Sequence, residues 1–142
     1  MINRYLWRIF AALNIFLVST FSSVHADAVR TDLTKLELST DKTSLLPGSE
    51  FTAVIELTPD LGWHAYWENP GDAGLKLEMA WDLPDGVEIG PLKFTTPHLI
   101  PYEDIVSYGY DGKVTIIAEG KVDENFAADE FTIGGEAFWL IC

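Results

Sequence analysis

The chain of 142 residues holds one cysteine, two methionines and three histidines, and only nine basic residues stand against 22 acidic ones. Each scarcity excludes something. Binding to nucleic acid or to anionic lipid depends on Lys and Arg neutralising phosphates, so a formal net charge of −13 argues against both partners. Structural zinc needs Cys and His at short spacings, whereas His25, His64 and His98 stand apart, with no His-x-His pair and no cysteine nearby. Walker loops, dinucleotide fingerprints and nucleophile elbows are missing, so no cofactor is implied. The carboxylates are scattered rather than paired for acid–base work, and their number reads as a solubility device. There is no internal repeat, low-complexity tract or Pro/Ser-rich linker.

Only one stretch is apolar enough to concern a membrane. Residues 1–26, "MINRYLWRIFAALNIFLVSTFSSVHA", open with Arg4 and Arg8, run through apolar residues from Ile9 to Val18, and close on Val24-His25-Ala26, a small-x-small cleavage pattern. The apolar part is broken by Asn14 and falls short of the roughly 20 residues a spanning helix needs. A secretory signal peptide is the expectation, with an uncleaved anchor as the alternative. Removing it leaves residues 27–142 as a single domain of 116 residues, with seven basic against 22 acidic residues and a formal charge of −15.

That remainder reads as strands punctuated by turns. "LTKLELST" (33–40) sets Leu36 and Leu38 on one face, and "EFTAVIELTP" (50–59) sets Phe51, Ala53, Ile55 and Leu57 together, both with a period of two. Further strands are expected in 64–69, 75–83, 87–94, 113–122 and 130–142. Between them lie Pro47-Gly48, Asn69-Pro70-Gly71 and Pro84-Asp85-Gly86, and Asp111-Gly112 is a hairpin signal between "VSYGY" and "KVTII". About seven short strands with frequent turns argue for an all-β, immunoglobulin-like antiparallel sandwich. The last run, "AFWLIC", is apolar on both faces, as expected of a central strand buried on both sides. Ending in such a strand suggests that the domain is C-terminally incomplete, and an unpaired final strand would leave a marginal fold with an aggregation-prone edge.

Two places could carry chemistry. "GWHAYWENPGDAG" (62–74) has two Trp, a His, a Tyr and an Asn-Pro turn. A strand here would bury Trp63, Ala65 and Trp67 and turn His64, Tyr66 and Glu68 to the other face, which is a common core arrangement in sandwiches. The sharper reading has His64 and Tyr66, with Asn69 and Asp72 from the turn, lining a polar site. "PYEDIVSYGYDG" (101–112), with Tyr108 and Tyr110, is either a loop over that site or a plain hairpin arm. Cys142 is the other place, since a lone cysteine in an exported protein is normally reactive or awaiting a partner. Joined with His64 and Met79 it would suit Cu(I) if the fold gathered the three.

The run "GWHAYWENPGDAGL", followed by "WDLP" (81–84), "YGYDG" (108–112) and "WLIC" (139–142), resembles the periplasmic N-terminal domain of DsbD-like protein-disulfide reductases. The likeness is greatest to the branch containing the suppressor of copper sensitivity protein B, and covers roughly residues 35–142. In that family the domain closes on a Leu-x-Cys-x-x-x-Cys pair, of which "WLIC" matches the first half.

The resemblance implies that Cys142 is one of two redox cysteines and that the second lies downstream. It implies a membrane-anchored protein-disulfide reductase in the periplasm, whose transmembrane and thioredoxin-like domains pass electrons to this module and on to periplasmic thiol–disulfide proteins. Links to copper tolerance and cytochrome c biogenesis come with the family, and the membrane would be met only through those missing segments. A single thiol cannot cycle as a dithiol, so the domain as given is expected to be inactive alone. The competing class is a non-enzymatic binding sandwich, handling copper or docking proteins through residues 62–74. A purely structural spacer is a third possibility.

Overall fold

A computed structural model of the chain describes residues 27–142, with ten strands: β1 (Asp27–Arg30), β2 (Thr34–Thr40), β3 (Glu50–Pro59), β4 (Ala65–Gly71), β5 (Glu78–Asp82), β6 (Val87–Ile89), β7 (His98–Tyr102), β8 (Ile105–Tyr110), β9 (Val114–Val122) and β10 (Gly134–Phe138). The expected signal peptide, residues 1–26, lies outside the described residues. No helix occurs among those described, and every strand pair is antiparallel.

One layer is a five-stranded sheet in the order β1-β2-β3-β9-β6; the other is assembled from a β10-β5 pair and a β4-β8-β7 sheet. Two isolated bridges, Ala65 with Ile141 and Tyr66 with Lys76, stitch the parts of the second layer together. The all-β, immunoglobulin-like sandwich expected from the strand pattern is the fold observed.

Strict alternation explains the first layer. In β3, Phe51, Ala53, Ile55, Leu57 and Pro59 point inward, and the register with β9 sets Ile55 opposite Ile116 and Ala53 opposite Ala118. Ile55, Leu57, Ile116 and Val122 are almost fully enclosed. Each contributes on the order of 1.5–3 kcal/mol by leaving water. The second layer answers with Ala65, Leu77 and Tyr110, backed by Met79, Trp81, Ala137, Trp139 and Ile141, and these pack with Ile55, Leu57 and Ile116 in one cluster, while Phe51, Ala53 and Val122 belong to a second.

Three expectations fail. Asp111-Gly112 does not close a hairpin: β8 belongs to the three-stranded sheet and β9 to the five-stranded one, so the turn carries the chain across the sandwich. Nor is the last run buried on both faces. Among the described residues β10 pairs with β5 alone; Ala137, Trp139 and Ile141 pack on the core, while Phe138 and Leu140 are 54% and 40% exposed and Cys142 is also exposed. Segment 87–94 is likewise divided, with β6 ending at Ile89 and Lys93 bridging separately to Ile117.

Candidate functional site

The motif at 62–74 is held by backbone close approaches. Ala65 pairs with Tyr110 and Tyr66 with Gly109, after which the register jumps so that Gly71 faces Ser107. Four residues, Trp67 to Pro70, therefore bulge out of the ladder, as happens where a strand must re-aim its side chains. The far end of the bulge is latched to β8. The amide of Asp72 donates to the Val106 carbonyl at 3.0 Å, the Asp72 carboxylate accepts from the Val106 amide at 2.9 Å, and the Ser107 hydroxyl donates to the Ala73 carbonyl at 3.0 Å.

Beyond the latch the chain doubles back over Tyr66. Gly74 has φ +118°, and a Cβ built there would stand 2.2 Å from the Tyr66 ring. The glycine thus forms part of the ring's seat. Tyr66 is only 5% exposed although it points away from the main core, because this segment covers it. The face opposite to Ala65 was expected to be polar, yet it buries an aromatic ring.

The end of the chain arrives at the same place. His64 and Cys142 exchange both backbone hydrogen bonds, His64 N–H to Cys142 O at 2.9 Å and Cys142 N–H to His64 O at 3.2 Å. A directly opposed antiparallel pair projects its side chains to one face. His64, Tyr66 and Cys142 therefore share the outer face of the second layer. Cys142 is near enough to the Tyr66 phenol to act on its ionisation, and the Tyr66 ring meets the His64 imidazole edge-on at 5.0 Å.

Burial first, and the neighbouring Cys142 second, push the Tyr66 phenol up to about 12. The phenol consequently keeps its proton well above neutral pH. His64 is pulled below its usual value, chiefly by burial and then by His98, with Asp111 opposing. It is neutral near pH 7. His98 arrives through register alone: Tyr66 pairs with Gly109 and Gly109 with His98, so the three stand in one row across β4, β8 and β7. The His98 Nε2 lies 3.4 Å from the Asp111 carboxylate.

Of the residues singled out by sequence, Cys142, Tyr66 and His64 converge. The others are placed elsewhere. Asn69 is exposed on the bulge. Asp72 serves the latch. Tyr108 packs edge-on against Trp67 at 6.3 Å, and Tyr110 lies in the core with its hydroxyl donating to the Thr95 carbonyl at 2.6 Å. Residues 101–112 form most of a hairpin arm rather than a free loop. Met79 packs on the core, away from the exposed Cys142, so the Cys142–His64–Met79 set is not gathered. Among the described residues no cluster of three or more His, Cys, Asp or Glu is arranged to hold a metal. Sequence reasoning missed His98 and Asp111, whose approach to His64 depends on strand register.

Of the constellation, Cys142 is exposed, His64 half-buried and Tyr66 buried. Two hollows, of about 580 and 650 Å³, lie elsewhere, one around Phe51 and Lys121 and the other around Phe126 and Phe131. An exposed thiol beside a protonated phenol can attack, or be attacked by, a disulfide that a large partner brings to it.

Residues 35–142 match the family model described as thiol:disulfide interchange protein DsbD, N-terminal. The chain belongs to that family. Its DsbD N-terminal fold is similar to the crystal structure of the N-terminal periplasmic domain of ScsB from Proteus mirabilis, with a TM-score of 0.61 and 22% identity. The likeness covers 81% of this chain but 44% of the ScsB chain, so this sequence spans less than half the length of that relative. No curated protein matches the chain. As a DsbD N-terminal domain, it belongs to a thiol:disulfide interchange protein family, and Cys142 is the one cysteine in its sequence.

Proposed function

We propose that this domain, exported to the periplasm behind residues 1–26, exchanges thiol and disulfide with periplasmic proteins through Cys142. The observation that carries the reading is the exposed Cys142 thiol set on a backbone pair with His64, beside the buried Tyr66 phenol. Cys142 is the first member of a redox pair whose second cysteine lies further along the full-length protein.

In each turnover the Cys142 thiolate attacks one sulfur of the partner's disulfide. The partner's S–S bond breaks as the Cys142–partner bond forms, and the departing sulfur takes a proton from water. The second cysteine then displaces the partner, which leaves as a dithiol while the pair becomes a disulfide. Two electrons have passed outward. They are restored by a thioredoxin-like domain and a transmembrane domain of the same protein. The backbone pair with His64 sets that sulfur on the outer face beside the protonated Tyr66 phenol.

The test is to express the chain together with the coding sequence that follows Cys142, and to count free thiols before and after reduction. Two thiols appearing only on reduction in the parent, and a single thiol present with or without reduction in Cys142→Ser, is the expected result. One thiol in both states would end the relay reading and leave a binding sandwich in its place.

A further inference from the structure

The outer face of the second layer carries a strip that the exchange reaction alone does not require. Phe138 and Leu140 alternate with Cys142 on the outward side of the last strand, 54% and 40% exposed, while Ala137, Trp139 and Ile141 alternate inward onto the core. A buried neighbour was expected here. Instead two large apolar side chains lead directly to the thiol, which is expensive to leave in water without purpose.

The strip has a charged border. Register pairs Phe138 with Glu78, Glu136 with Ala80 and Gly134 with Asp82, so Glu78, Asp82 and Glu136 share the outward face with Phe138, and all three are exposed. Lys76, 4.0 Å from Glu78, is the cation beside them. Three carboxylates against one ammonium make this border negative in a domain that is already at −15 over residues 27–142.

We infer that the Phe138–Leu140–Cys142 strip with its acidic border is a docking face for a redox partner whose reactive disulfide sits in an apolar patch ringed by Lys and Arg. The inference rests on the exchange reading above, and names the kind of partner that site takes. Apolar contact at the centre supplies complementarity next to the reacting sulfurs, and the opposed charges steer encounter and set orientation. Continuity with the thiol fixes the occupant as the exchange partner: any protein that brings a disulfide to Cys142 must cover Leu140, two residues away on the same face.

The experiment uses the whole chain and three short cysteine peptides, each activated as a mixed disulfide with 5-thio-2-nitrobenzoate. One peptide is apolar and flanked by Lys, one has Glu in place of Lys, and one keeps Lys but replaces the apolar residues by Ser. Cys142 thiolate attacks the peptide sulfur, forming the Cys142–peptide disulfide and releasing the coloured thiolate. Neutral hydroxyethyl disulfide serves as the reference.

At low salt the basic apolar peptide should react at least about tenfold faster than the acidic one, the low end of electrostatic steering. That ratio should collapse in Glu78→Lys/Asp82→Lys/Glu136→Lys. The advantage over the Ser-containing peptide should vanish in Phe138→Ser/Leu140→Ser, with the rate toward hydroxyethyl disulfide unchanged in both variants. Equal rates for all three peptides, or preferences that survive both variants, overturn the docking face while leaving exchange at Cys142 intact. A dimer in sedimentation that dissociates in Phe138→Ser/Leu140→Ser also overturns it, since a second copy would then be the occupant. A thiol inert even to hydroxyethyl disulfide overturns the exchange reading itself.

Discussion

Replacing Gly74 by Ala probes the seat of Tyr66 most directly, because two costs act there and can be separated. The first belongs to the backbone: a φ of +118° is a conformation that L residues avoid, and holding Ala in it costs on the order of 1–3 kcal/mol. The second belongs to packing: a methyl 2.2 Å from Tyr66 Cδ1 must displace a ring that is 5% exposed, and overpacking of this kind costs about another 1–3 kcal/mol. Their sum, roughly 2–6 kcal/mol, is a large part of the 5–15 kcal/mol that holds a typical domain together.

Urea unfolding of four proteins (parent, Gly74→Ala, Tyr66→Ala and the double variant) isolates the second cost. With the ring gone, only the backbone cost remains, so Gly74→Ala should be about 1–3 kcal/mol milder in the Tyr66→Ala background. An identical cost in both backgrounds would refute the steric contact between Gly74 and Tyr66. A total under about 0.5 kcal/mol in the parent would refute both parts of the argument.

Two titrations follow from the same site. Because the Tyr66 phenol is raised from 10.0 to about 12, its contribution to stability is fully present below pH 10 and is lost as pH rises toward 12; in an absorbance titration the latest phenolate step should disappear in Tyr66→Phe. A profile with the last step unchanged would place that phenol elsewhere. His64 moves the other way: burial and His98 lower it from 6.5, so its contribution is complete above pH 6.5 and declines as pH falls through its lowered value. In a proton NMR titration the His64 midpoint should lie below 6.5, rise in His98→Ala and fall further in Asp111→Asn, and a midpoint indifferent to both would remove those neighbours from its environment.

The parts of the fold legible in sequence were those where one face is buried and the other wet. β3 could be read residue by residue, since alternation between Phe51, Ala53, Ile55 and Leu57 and their polar neighbours leaves one register that hides the apolar set. The turn at Asp111-Gly112 was misread because turn chemistry is local: it says that the chain reverses, not which layer receives the next strand. The last run was misread because apolar residues on both faces imply a cover that none of the described residues supplies, with Phe138 outward.

The site was half legible on the same grounds. His64 and Tyr66, two apart in a strand, had to share a face. Their meeting with Cys142 joins residues about half the chain apart through one backbone pair, and the approach of His98 needs two registers in succession. Neither leaves a mark in any window of the sequence.

The two isolated bridges that join the halves of the second layer place the thiol on a seam. Ala65–Ile141, with the adjoining His64–Cys142 pair, and Tyr66–Lys76 are short links, whereas β3 is laddered to β2 on one side and to β9 on the other. Amide exchange should therefore run at two speeds, with His64 and Cys142 opening by local separation of the seam and β3 protected up to the free energy of global unfolding. Such a division lets the sulfur shift to meet and release a bulky partner while the five-stranded sheet stays closed behind it.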